Sequence, residues 1–187
     1  MPVRVALIVG SLREGAYSRA IGLEIKALAA PGLELELIEI GDLPLYNPDL
    51  ETDAPPAPWV RFREEVETTE AVLFVTPEYN RSIPGALKNA LDVGSRPYGH
   101  SIWQGKPAAI VSVSPGALAA FGANHHLRQP LVFLNMPTMQ QPEAYIGNVA
   151  DLLDDDGKLK KDDTRAFLKS FTDAFAKWID KTKASKA

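Results

Sequence analysis

Three short, predominantly apolar runs limit the possible folds of this chain more than any other feature. They lie at residues 5–9, 71–76 and 108–114. A strand that is apolar at every position is buried on both faces, as the inner strands of a parallel sheet are. Each run stops in loop residues, at Gly10, at Pro77 and at Pro115 with Gly116, and a helical apolar pattern follows each loop. Two weaker strands complete the set. Residues 33–40 alternate apolar and acidic side chains, which suits an edge strand whose charges discourage further pairing, and residues 138–146 hold a last short strand.

The intervening segments read as helices over residues 20–28, 59–69, 86–95, 118–135 and 164–181. Pro130 should kink the fourth, and the fifth carries Phe167, Leu168, Phe171, Phe175, Trp178 and Ile179 along one side. Strict alternation of strand and helix gives a parallel sheet covered on both faces. The fold class expected is therefore α/β: a flavodoxin-like three-layer sandwich with a five-stranded parallel sheet of order 2-1-3-4-5. All 187 residues are expected to form one domain, with a frayed Ala/Lys-rich tail from about residue 182. In such a sheet a ligand sits beyond the carboxyl ends of the strands, where the loops after Gly10, Thr76 and Ser114 meet.

Composition narrows the chemistry. The chain has no cysteine, which removes disulfides, thiolate metal sites and cysteine nucleophiles. Any redox function must then come from a bound cofactor. A net charge of −4 gives no electrostatic support for nucleic-acid binding. No apolar run is long enough for membrane insertion and no leader pattern precedes the first strand, so a cytoplasmic protein is expected. No metal site is expected either. His125 and His126 are adjacent and point about 100° apart on a helix, and residues 151–157 carry Leu152 where a calcium loop needs its first ligand.

The first loop suits a phosphate. Ser11, Leu12, Arg13, Tyr17, Ser18 and Arg19 occupy the turn from the first strand into its helix, where free N–H groups and the positive end of the helix dipole converge. Gly10 and Gly15 have the spacing of a nucleoside-triphosphatase loop, but Ala16 and Tyr17 follow where Lys and Ser or Thr are needed. Leu12 also replaces the second glycine of a dinucleotide fingerprint. The same residues suit an ordinary strand-to-helix loop in which Ser18 caps the helix. The second loop, Pro77, Glu78, Tyr79 and Asn80 onward, can line up backbone donors and acceptors along the edge of a flat heteroaromatic ring, or simply turn the chain. The third loop offers Ser114 and Gly116 but no nucleophile-elbow frame.

The stretches GSLREGAYSRA, PEYNRSIPGALKNALD and SRPYG together resemble the NADPH-dependent FMN reductase family, and within it the quinone and chromate reductases, over residues 3–143. The resemblance implies FMN as cofactor and NADPH or NADH as co-substrate. It places the FMN phosphate in Ser11, Arg13, Tyr17, Ser18 and Arg19, with Leu12 among the cofactor-binding residues of the same loop. It places the ring against Pro77, Glu78, Tyr79 and Asn80, with Ser114 and Gly116 completing the pocket. It also implies small-molecule electron acceptors, quinones and with them chromate or ferric complexes, and a homodimer or homotetramer. No side chain is needed as acid or nucleophile, because the flavin carries the chemistry. Tyr79, Arg81 and Arg96 are candidates for the rim where nicotinamide and acceptor dock. A flavodoxin-type electron carrier without a nicotinamide site has the same fold and is the main competitor; a domain that has lost its flavin is the other.

Overall fold

The computed structural model describes residues 2–184. Strands β1 (Val3–Val9), β2 (Leu33–Leu37), β3 (Ala71–Thr76), β4 (Ala108–Val113) and β5 (Ala144–Ile146) form one sheet of order β2-β1-β3-β4-β5. Every pairing is parallel, with Leu7 opposite Leu73 and Phe74 opposite Ile110. The expected topology holds. The alternating strand β2 is at an edge, and β5 is only three residues long, preceded by a single bridge from Thr138 to Ala108.

The helices are α1 (Tyr17–Ala27), α2 (Ala57–Glu67), α3 (Gly85–Gly94), α4 (Phe121–Phe133) and α5 (Asp162–Ala184). Successive side chains of a strand point to opposite faces, so each apolar strand feeds two cores. Ala6, Ile8 and Phe74 pack with Trp59, Phe62, Leu87 and Leu127 of α2, α3 and α4. Leu7, Leu73 and Val111 pack on the other face with Ile21 of α1 and Phe171 and Phe175 of α5. Trp59 and Trp103 are fully buried in the first core. The Trp103 indole lies so close to Gly94 that a Cβ there would be 2.5 Å from the ring.

Three helix ends differ from the sequence expectation. Helix α1 starts at Tyr17, because Gly15 turns the chain at φ +64° and Ala16 N–H bonds the Arg13 carbonyl, so Ser18 lies inside the first turn and caps nothing. Helix α4 starts three residues later than Leu118, since Ala119 and Ala120 hold left-handed conformations (φ 52° and 59°). Ser112 Oγ donates to the Ala119 carbonyl at 2.8 Å, and a Cβ on Gly147 would be 3.2 Å from the loop, so tertiary contact sets that start. From there α4 runs through Pro130 to Phe133. Helix α5 passes the point where fraying was expected: Thr182 Oγ1 donates to the Trp178 carbonyl, and Lys183 pairs with Glu70. Residues 185–187 of the expected tail lie outside the described residues.

Candidate functional site

The loops that follow β1, β3 and β4 meet at the carboxyl edge of the sheet, and Gly10 N–H donating to the Val75 carbonyl ties the first two together. They enclose a cavity of about 340 Å³. That size lies within the range of small-molecule and cofactor sites. One wall is Ser11, Arg13, Ala16, Tyr17 and Ser18; the other is Pro77, Glu78 and Tyr79; Val113, Ser114 and Pro115 close the end.

The first wall is built to receive an anion. Helix α1 opens with no side-chain cap and no acidic residue in its first turn. The N–H groups of a first turn have no acceptors within the helix and point out of its end. Ser11 is buried; its Oγ accepts from Arg13 N–H at 3.3 Å and lies 3.1 Å from the Tyr79 hydroxyl. Arg13 folds over the loop, donating to the Gly15 carbonyl at 3.1 Å with its guanidinium 5.6 Å from the Tyr17 ring centre. Among the described residues, Ser18 Oγ is the buried side-chain polar atom without a hydrogen-bond partner. A buried hydroxyl left unpaired is costly, and a phosphate oxygen at the end of α1 would pair it. The cavity size, the uncapped helix end and this hydroxyl all fit the FMN phosphate.

The second wall is a tight turn. Tyr79 and Ser82 exchange both backbone hydrogen bonds, at 2.9 and 3.0 Å, around Asn80 and Arg81 in left-handed conformations (φ 51° and 64°). The turn is pinned to α4 at two places. Glu78 Oε2 accepts from Ala123 N–H at 2.9 Å, capping a helix that has no side-chain cap of its own, and Ser82 Oγ is 2.7 Å from His126 Nδ1. Glu78 Oε1 also holds Arg81 at 3.1 Å. The Glu78 carboxylate is thus committed to α4 and Arg81, while its neighbours Pro77 and Tyr79 flank it along the wall.

Several sequence candidates lie elsewhere. Arg19 does not line this cavity. Its guanidinium grips Glu39 with two hydrogen bonds, at 2.6 and 3.1 Å, which raise the Arg19 pKa and hold the Glu39 carboxyl below the usual carboxylate range. Leu12 also turns away, toward Gly41, and both border a separate cavity behind the loop. Asn80 and Gly116 shape their turns without lining the cavity; Gly116 N–H donates to Ser114 Oγ at 3.0 Å. Arg96 follows the far end of α3, bonds the Ser95 hydroxyl and carbonyl, and borders another cavity with Tyr98 and Phe133. A single chain therefore does not bring Arg96 to Tyr79.

Other contacts carried no sequence signal. Ala16, Val113 and Pro115 line the site with ordinary side chains, and Glu39 reaches Arg19 from the segment that follows β2. The Glu78 cap had one trace, Gly122, where a Cβ would be 2.8 Å from Glu78 Oε2. The histidine pair splits as expected: His125 Nε2 is 3.0 Å from the Tyr145 hydroxyl while His126 faces Ser82. Burial, then hydrogen bonding to Glu143, pushes the Tyr145 phenol up to about 12. No group of three or more potential metal ligands occurs among the described residues.

Known proteins resemble this chain over almost its whole length. A quinone reductase of Pseudomonas putida is 61% identical over 180 residues, 96% of each chain. A 2-hydroxy-1,4-benzoquinone reductase of a Burkholderia species is 40% identical over 179 residues, 96% of this chain and 97% of the other. The solved structure of FerB, a flavoenzyme NAD(P)H:(acceptor) oxidoreductase from Paracoccus denitrificans, superposes with a TM-score of 0.90 at 43% identity, covering 96% of this chain and 98% of that one. The NADPH-dependent FMN reductase family matches residues 3–151, a span that contains all three loops of the cavity, and the chain belongs to that family.

Proposed function

We propose that the protein is a single FMN-binding domain that uses NADPH or NADH to reduce quinones. The observation that carries this reading is the unpaired Ser18 hydroxyl, buried at the uncapped end of α1 inside a cavity of about 340 Å³. Held there, FMN would supply the two-electron chemistry that links nicotinamide to acceptor. The chain's own residues bind and orient. Ser11, Ser18, Arg13 and the first-turn amides of α1 would hold the phosphate, leaving Pro77 and Tyr79 to contact the ring. Backbone N–H groups along the second and third loops would favour negative charge on the ring edge. Tyr79 is half-exposed and bridges to Ser11, so it stands where the acceptor must enter.

An exposed Tyr79 beside the cavity supports a broad choice of acceptors, chromate and ferric complexes among them. Tyr98, Val132 and Phe133 are 91%, 76% and 84% exposed, a set of apolar surfaces that supports a homodimer or homotetramer. No helix among the described residues is long and apolar enough to cross a membrane. A cytoplasmic location accords with the cysteine-free sequence.

The test is anaerobic mixing of FMN-loaded protein with NADPH or NADH, then with a benzoquinone. Rapid bleaching of the flavin by the nicotinamide and its return on adding quinone are expected. Bleaching only when a separate reductase is supplied would make the protein an electron carrier instead.

A further inference from the structure

The Arg19–Glu39 pair has no part in the flavin cavity, yet it sits immediately behind it. A cavity of about 310 Å³ lies between the β1–α1 loop and the end of β2. Arg13, Glu14, Arg19 and Glu39 supply its charged groups. Ser11 and Arg13 line both this cavity and the flavin cavity, so a ligand in one adjoins a ligand in the other. The other cavity that Arg19 borders is lined by Asp154, Asp155 and Asp156 against Lys158 alone, and so suits an anion less well.

We propose that this cavity is the subsite for the adenosine ribose of the nicotinamide cofactor, with Arg19 holding the 2′-phosphate of NADPH and Glu39 acting as its displaceable counter-ion. The inference rests on the activity proposed above. Its chemistry is general: a carboxylate after the second strand suits a free ribose 2′-hydroxyl, and an arginine suits a 2′-phosphate. Here both groups occupy one site and neutralise each other. The pair is exposed, 40% for Arg19 and 58% for Glu39, so its net stabilisation is small and a phosphate can replace the carboxylate. Distance permits the span. From β4, where the third loop ends the flavin cavity, to β2 is three strand spacings, roughly 14 Å, within the reach of an extended dinucleotide. An enzyme built this way accepts both nucleotides: Glu39 bonds the ribose diol of NADH, and swings off Arg19 for NADPH.

The test is calorimetric titration of FMN-loaded protein with 2′,5′-ADP and with 5′-AMP, for wild type, Arg19→Ala and Glu39→Gln. Losing one charge-assisted contact corresponds to roughly tenfold in affinity. We expect 2′,5′-ADP to bind about tenfold tighter than 5′-AMP in wild type. Arg19→Ala should erase the difference and Glu39→Gln should widen it. The ratio of kcat/KM for NADPH to that for NADH should follow, carried by KM. Should Arg19→Ala fail to fold, Glu39→Gln reads the same subsite with the opposite sign. Equal affinity for the two probes in wild type, or no response to Glu39→Gln, overturns the assignment and leaves the oxidoreductase reading intact. A parallel loss of FMN affinity in Arg19→Ala also overturns it, by returning Arg19 to the flavin phosphate. If neither nicotinamide bleaches the flavin while 2′,5′-ADP still binds through Arg19, the proposed activity fails and the subsite stands.

Discussion

Replacing Ser18 by alanine should move two measurements in opposite directions. Ser18 is 2% exposed and its hydroxyl has no partner in the chain alone. Leaving a buried hydroxyl unpaired costs about 1–3 kcal/mol, and alanine is the better helix former by up to about 0.5 kcal/mol. The flavin-free variant should therefore be as stable as wild type or more stable, by up to about 2 kcal/mol. With FMN the sign reverses. A hydrogen bond to a charged phosphate is worth about 1.5–3 kcal/mol, so the dissociation constant should rise about ten- to a hundredfold. At an FMN concentration of about 100 times the wild-type constant, ligand stabilises wild type by about 2.7 kcal/mol. A thirtyfold weaker variant keeps only about 0.9 kcal/mol at that concentration. At about 2–4 °C per kcal/mol for a chain of this size, the FMN-induced shift in Tm should fall from about 5–10 °C to about 2–4 °C. Thermal melts with and without FMN, together with fluorescence titration of FMN, give all the quantities. A general packing defect would lower both melts. If Ser18→Ala lowers the flavin-free Tm, or binds FMN within twofold of wild type, the phosphate site is not where α1 begins.

Glu78→Ala should cost about 1–3 kcal/mol, because the Ala123 N–H at the start of α4 loses its acceptor, whereas Glu78→Gln should restore most of it; urea melts of both variants check this. Gly122→Ala should cost about 1–3 kcal/mol and weaken FMN binding several-fold, since its Cβ would press on Glu78 Oε2 and on the Arg81 carbonyl at 3.2 Å, and flavin titration beside a melt reads both effects. Gly94→Ala should cost a similar 1–3 kcal/mol with FMN affinity unchanged, because the clash is with Trp103 in the core; its melt with and without flavin separates the two. The Tyr145 phenol, raised to about 12, ionises later than an unfolded tyrosine near 10, so stability should fall as pH climbs between those values, and Glu143→Gln should lower the phenol midpoint in an ultraviolet titration.

The sheet was legible because its signal is local and repeated. Three apolar runs each closed by turn residues leave little choice but parallel inner strands, and the acids alternating along β2 mark it as an edge. The loops at the carboxyl edge follow from the topology. What could not be read was which side of a loop each charge takes. Arg13 and Arg19 both lie in the turn from β1 into α1, but one folds over the cavity and the other is drawn behind it by Glu39, a residue in the segment after β2. Ser18 looked like a cap because serine often is one; the left-handed Gly15 moved the helix start back and buried the hydroxyl. Ala119 and Ala120 gave no sign of the left-handed turn that delays α4, because contacts with Ser112 and near Gly147 impose it.

These misplacements share a cause that bears on how the site works. The groups proposed to bind FMN are mostly those whose identity the sequence hardly restricts: helix-end amides, the backbone of the Pro77–Tyr79 stretch, a hydroxyl freed by a shifted helix start. The distinctive side chains of the second loop serve to fix that backbone. Glu78 fastens the turn to α4, Ser82 meets His126, and the turn itself holds Asn80 and Arg81 at positive φ. Fixed dipoles of this kind need no rearrangement when charge develops on a bound ring, which is where an enzyme without an acid or nucleophile can gain rate. It follows that variants in the anchors should alter the electronic behaviour of the flavin while leaving its phosphate contacts in place. Glu78→Ala should shift the flavin midpoint potential by more than Ser18→Ala does, although Ser18→Ala weakens FMN binding more. Potentiometric titration of the two variants, each saturated with FMN, checks the order. Equal shifts would mean that the second loop does not govern the ring, and the division of labour between the two walls would have to be abandoned.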